Sequence, residues 1–183
     1  MILPLFPLGT VLFPGGILPL KIFEARYLDM ISTCLREGSG FGVNLIKSGS
    51  EVGEAADCWP VGTYARVTDW HPLPGGLLGI TVQGERRYRV TRTWLEPDNL
   101  LRGEIEWLSE SEDIRAAELH GNYTWLHRQL EQYGIRVEGR VSNVVWRLAE
   151  VLPLSLAARQ SLLELDSMQD MLGLLGSLLQ NLS

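Results

Sequence analysis

The sequence is poor in residues that bind metals or staple small folds. It has two cysteines, Cys34 and Cys58, and three histidines, His71, His120 and His127. Two Cys exclude a disulfide-dense scaffold, and with no C-x-x-C or H-E-x-x-H there is no zinc-module spacing. His120 and His127 lie seven apart on a helical pattern, which alone does not make a ligand set. No metal and no cofactor is expected, and both thiols read as reduced, inert small hydrophobes. Phosphate cradles are also missing: there is no G-x-x-x-x-G-K-[ST], no G-x-G-x-x-G and no G-x-S-x-G. Nor is there a basic surplus. Sixteen Lys+Arg stand against 22 Asp+Glu, a net charge of −6, so the footprint of a nucleic-acid binder is absent.

Membrane-length apolar runs are lacking. The N-terminal MILPLFPLGTVLFPGGILPLK is apolar, but no basic residue precedes Lys21, as a signal peptide would require. Pro4, Pro7, Pro14 and Pro19 each remove a helical hydrogen bond, so the stretch cannot span as a helix. Met168 to Leu182 would reach roughly 22 Å at ~1.5 Å per residue, short of a ~30 Å hydrocarbon core. A cytoplasmic location without membrane contact is expected.

What the chain does have is an uneven distribution of turn residues. Of 28 Gly and Pro, 22 fall in residues 1–110, as expected of a β-rich domain followed by a helical subdomain over 111–183. Candidate strands are Ile2–Phe6, Ile17–Phe23, Phe41–Ile46, Thr63–Trp70, Leu77–Val82, Arg87–Trp94 and Leu101–Trp107, with a hairpin-like break at Gln83-Gly84-Glu85. Between them, Tyr27, Leu28, Ile31, Cys34 and Leu35 form one helical stripe that Gly38 stops. Four helices are expected after residue 110: Ser109 or Ser111 to about Tyr133, Ser142 to Val151, one opened by Ser155, and one opened by Ser167 with Asp170. The class is α+β.

Several clusters admit a functional and a structural reading. Glu24 and Arg26, in I-F-E-A-R-Y, could contact a ligand as a charged pair. The structural reading is favoured, with Glu24 in a first helical turn and Arg26 paired to a nearby carboxylate. Arg86, Arg87, Arg89 and Arg92 form the one basic cluster. Arg87 and Arg89 share a strand face that could contact RNA, or that is simply solvated beside Glu85 and Glu96. The last helix carries a Met/Leu stripe, either core or docking surface.

Residues 3–31, L-P-L-F-P-L-G-T-V-L-F-P-G-G-I-L-P-L-K-I-F-E-A-R-Y-L-D-M-I, resemble the start of the amino-terminal, substrate-binding domain of the Lon ATP-dependent protease family. The resemblance continues through Phe41-Gly42-Val43, Val61 to Val67, Leu73-Pro74-Gly75-Gly76 and Val82 to Val90, and more weakly at Arg159 to Glu164. It implies a PUA-like pseudo-barrel with one inserted helix, followed by a helical bundle. It also implies binding of unfolded or extended polypeptide or of a protein partner. The family's ATPase and Ser-Lys protease modules have no counterpart in these 183 residues, so a stand-alone, non-enzymatic relative is expected. In that setting Phe13, Phe23, Tyr27, Trp59 and Trp70 could line an apolar groove, with Glu24 and Arg26 nearby, taking polypeptide by apolar contact or strand addition. The alternative that the resemblance leaves open is an RNA-binding PUA-like module using Arg87 and Arg89, with nucleic acid disfavoured by the acidic charge.

Overall fold

The computed structural model describes residues 1–53, 56–109, 124–134 and 141–182. The chain divides into two compact units, Met1–Leu108 and Ser109–Ser183. In the first, seven strands are joined into one sheet: β1 Ile2–Leu8, β2 Ile17–Ile22, β3 Phe41–Ser48, β4 Asp57–Cys58, β5 Val61–Leu73, β6 Leu77–Leu95 and β7 Leu101–Trp107. Pairing runs β1–β7–β6–β5–β3, and a parallel β3–β1 pairing (Leu5 opposite Gly42) returns the circuit to β1. β4 adds to β3, and β2 lies antiparallel on the far half of β6. This is the expected α+β pseudo-barrel.

The one helix of this unit, α1 Ala25–Glu37, covers an apolar layer. Tyr27, Met30, Ile31 and Cys34 are buried, packing with Phe6, Leu8, Ile22, Phe41, Val43, Ile80 and Val82. Met30 takes the place on the stripe expected of Leu35, which is exposed. Gly38 ends the helix with φ 64°, and its N–H reaches the Cys34 carbonyl, a conformation that favours glycine. A second cluster, Leu3, Leu5, Tyr64, Tyr88 and Ile105, fills the other side of the sheet.

The expected break at Gln83-Gly84-Glu85 is not a hairpin. β6 runs unbroken through it, and Glu85 is an extra residue between the pairs Tyr64–Arg86 and Ala65–Gly84. Glycine is required there because a Cβ on Gly84 would run into the Phe13 carbonyl oxygen. The real hairpin turn is Pro74–Gly76, where Gly75 and Gly76 hold φ of 78° and 79°.

The second unit contains α2 Thr124–Gln132, α3 Val141–Val151, α4 Leu156–Glu164 and α5 Met168–Leu182. Whether opened by Ser109 or Ser111, the expected first turns of the first helix fall in residues 110–123, outside the described residues. Ser155 caps α4 by accepting from the Ala158 N–H at 3.2 Å, and Ser167 accepts from the Asp170 N–H at 3.4 Å. Arg159 donates to the Glu150 and Leu152 carbonyls at 3.3 and 3.2 Å, satisfying the open end of α3 before Pro153. α5 turns Met168, Met171, Leu172 and Leu175 inward and packs against α3 and α4.

Candidate functional site

Two exposed aromatic rings of the first unit, Phe23 and Trp70, sit on or next to an arm formed by β2, β6 and the second half of β5. β5 is paired to β3 only through Thr63, Tyr64 and Ala65, with Ala65 opposite Phe41 at the end of the pairing. Beyond Ala65 it continues with β6 alone, while β2 lies along the other side of β6. Register sets the rows of side chains. Leu20, Ile80 and Trp70 share one face, as do Ile22, Leu78 and Pro72. Lys21, Gly79 and His71 share the opposite face, as do Leu77 and Leu73. A Cβ on Gly79 would lie 2.6 Å from His71 Nε2, so the imidazole rests across the glycine. Phe23, directly after β2, is 54% exposed and Trp70 is 56% exposed. The run from Trp70 to Gly84 contains no Asp, Glu, Lys or Arg, although the chain carries 38 such residues. The charges of Lys21, Arg66 and Asp69 stand in the neighbouring strands opposite Gly79, Gln83 and Thr81, so the feature that marks an interaction site is the pair of large exposed rings.

The other sequence-derived candidates do not gather there. Phe13 is fully buried, with its carbonyl against Gly84, and its ring does not line an open groove. Tyr27 is buried as well. It stacks on Phe6 with ring centroids 4.1 Å apart, and burial pushes its phenol up to about 12. Arg26 is 8% exposed and turned inward: one nitrogen meets Glu24 Oε2 at 2.9 Å, another donates to the Asn99 carbonyl at 2.9 Å, and the guanidinium lies 4.7 Å from the Tyr27 ring centroid. Glu24 does not cap α1 with its side chain; it serves Arg26 instead. This pair joins α1 to the turn after β6. It offers a ligand no free guanidinium face.

Trp59 is half-buried and stands just before Val61, the end of β5 opposite to the arm that carries Trp70. It lines a separate cavity of about 250 Å³ with Leu5, Asn44, Val90 and Leu101. The basic cluster divides. Arg87 is 6% exposed and does not present a charge to solvent. Arg89 is exposed, but Glu106 is its register partner, and Glu104 is that of Arg92. Acids interleaved with the arginines cancel the field that RNA phosphates would need.

Neither thiol is poised for chemistry. Burial pushes Cys34 up, and its Sγ contacts the Gly40 carbonyl at 3.6 Å. Burial, with the Asp57 charge second, pushes Cys58 up to about 12. At pH 8 the Cys58 thiolate fraction is then about 10⁻⁴. Iodoacetamide at pH 8 should leave Cys58 unmodified over a time that consumes free glutathione, and mass spectrometry of the intact chain reads this directly. Rapid labelling of the folded protein at Cys58 would contradict the raised thiol. Among the described residues no group of three His, Cys, Asp or Glu could hold a metal, and no helix is long and apolar enough to cross a membrane.

Sequence reasoning reached Phe23 and Trp70 but not the arm that carries them. The legible signal was the charge-free run around Pro74-Gly75-Gly76.

Known proteins share this architecture. The crystal structure of a Lon N-terminal domain protein from Xanthomonas campestris is 38% identical, covers 98% of both chains and superposes with a TM-score of 0.81. The N-terminal domain of Lon protease from the Mycobacterium avium complex, 19% identical with a TM-score of 0.66 over 96% of each chain, shares the fold. Lon protease 2 of Myxococcus xanthus is 29% identical over 133 residues, and Lon protease of Bacillus thuringiensis is 26% identical over 196. The matched segments make up 16% and 24% of those two proteases. A family model described as the ATP-dependent protease La (LON) substrate-binding domain matches residues 2–181, and the chain belongs to that family.

Proposed function

We propose that this chain is a non-catalytic, cytoplasmic module that binds non-native polypeptide, and that the exposed apolar part of the β2–β6–β5 arm is where it does so. The observation that carries the reading is the exposure of Phe23 and Trp70, each more than half open to solvent. Covering the exposed part of one such ring removes on the order of 100 Å² from water, about 2.5 kcal/mol at ~25 cal/mol per Å². Ordering a flexible partner offsets part of that gain. Membership of a substrate-binding domain family supports polypeptide as the ligand.

The test is fluorescence anisotropy with a labelled, reduced and carboxymethylated model protein. The double variant Phe23→Ala, Trp70→Ala should bind at least about tenfold more weakly than the parent chain. Its melting temperature should hardly change, because neither ring is core. Equal affinity in parent and variant would remove the arm as the binding surface.

A further inference from the structure

The cavity beside Trp59 lies at the end of β5 away from the arm, and strand pairing explains why it is open. The Val90 N–H donates to the Pro60 carbonyl at 2.8 Å, the last bond between β6 and the chain leading into β5. One residue before Pro60 that chain has already turned to β3, where the Trp59 N–H donates to the Leu45 carbonyl at 2.9 Å. From Arg92 to Leu95, β6 is therefore paired with β7 alone among the described residues. The second apolar cluster is left uncovered at this point. A Cβ on Gly103 would meet Leu5 and Val90, so its partner Thr93 shares their face of the sheet. Thr93 is exposed, and Val90 and Leu101 are only half-buried.

The gap measures about 250 Å³. A dry cavity of ~150 Å³ accommodates benzene, so this one has room for two fused rings. Its apolar lining comes from Leu5, Val90, Leu101 and the Trp59 indole. Its buried polar group is the Asn44 amide, 1% exposed. Asn44 Oδ1 accepts from the Tyr88 hydroxyl, and one Nδ2 proton goes to the Trp59 carbonyl at 2.9 Å. A primary amide has two such protons, and the second has no acceptor among the described residues. A buried donor left unpaired is costly, and a ligand oxygen that reaches it removes that cost. Two charged residues border the cavity. Arg92 is on the other face of β6 from Thr93, with its guanidinium 5.9 Å from the Trp94 ring centroid, and Asp57 is exposed to water. An ionic ligand would give up its hydration there without a buried counter-charge.

We propose that this cavity is a small-molecule site for an uncharged, flat, two-ring compound bearing a carbonyl or carboxamide oxygen. The rings lie against Leu5, Val90, Leu101 and Trp59, and the oxygen accepts the spare Asn44 proton. The site is separate from the arm and does not depend on the polypeptide-binding reading.

The probes are 2-naphthamide, 2-naphthoate and 2-naphthylmethylammonium, which share one ring system and differ in charge. Each is titrated into the full, nitrogen-15-labelled chain and followed by two-dimensional NMR. The naphthamide should shift the Asn44 side-chain amide pair and the backbone signals of Trp59 and Thr93 in a saturable way. The two ions should bind at least about fivefold more weakly. Thr93→Trp puts an indole into the opening from an exposed position and should weaken naphthamide binding about tenfold or more. Nuclear Overhauser contacts from the bound rings to the Val90 and Leu101 methyls locate the ligand in the parent chain, so the site is tested even where that variant fails to fold. No shift at about 2 mM naphthamide, or saturable shifts that leave the Asn44 amide unmoved, would overturn the proposal. So would equal or tighter binding of either ion, or a folded Thr93→Trp that binds as the parent does.

Discussion

Tyr88→Ala should lower the unfolding free energy of the first unit by about 4 kcal/mol, the upper part of the range for a truncated core aromatic. Tyr88 is fully buried in the second cluster, where its ring meets Trp107 edge-on at 6.4 Å. Two strands have been cleared to admit it. A Cβ on Gly62 would sit 2.7 Å from the hydroxyl, and one on Gly42 would overlap it. The hydroxyl donates to Asn44 Oδ1, and Asn44 Nδ2 donates onward to the Trp59 carbonyl at 2.9 Å. Removing the ring therefore opens a cavity between glycines that cannot fill it and strands an acceptor on a buried Asn44. Tyr88→Phe keeps the volume and should cost only about 1–2 kcal/mol. Burial also holds the phenol well above its ordinary value of 10.0. The folded state keeps that proton more tightly than the unfolded chain, so the contribution is complete below pH 10 and declines above it. Tyr88→Phe should accordingly lose less stability between pH 9 and 11 than the parent. Urea unfolding followed by circular dichroism reads both effects, and an unchanged midpoint for Tyr88→Ala would contradict the packing.

Much of this architecture is legible in the sequence because it is written locally. The stop at Gly38, the cap at Ser155 and the strand from Leu101 to Trp107 each depend on residues within a few positions of one another. What could not be read depends on partners far along the chain. Gly84 looked like a turn because glycine is common in turns, yet it is needed where the Phe13 carbonyl crosses β6. Phe13, Phe23, Tyr27, Trp59 and Trp70 are alike as letters; only pairing separates the two that face solvent on the arm from the two in the core and the one beside the far cavity. Alternation placed Arg87 with Arg89 but not its burial, because the bulge at Glu85 and the packing around Thr63 are long-range facts.

Arg26→Ala should destabilise the same unit by about 3 kcal/mol, since removing one partner strands the rest of a buried polar junction. The guanidinium satisfies the carbonyl of Asn99, which is itself held at φ 65° inside the turn that links β6 to β7. That turn is closed by Glu96 and Leu100 bonding through N–H and carbonyl at 3.0 Å, and by the Asp98 carboxylate accepting from the Leu100 N–H at 3.0 Å. Arg26 thus ties the start of α1 to a turn 73 residues away. Its Nε is buried without a partner, so the junction has little slack for a different cation. Arg26→Lys supplies the charge but not the fork that reaches Glu24 and Asn99 together, and should recover less than half of the loss. Glu24→Gln should cost less, about 1 kcal/mol, because that carboxylate is 20% exposed and water can replace part of its role. Polypeptide binding separates this structural role from a ligand-contacting one. In the fraction that remains folded, Arg26→Ala should bind the carboxymethylated model protein as the parent does, while its urea midpoint falls. Lost affinity with an unchanged midpoint would instead place Arg26 at the polypeptide.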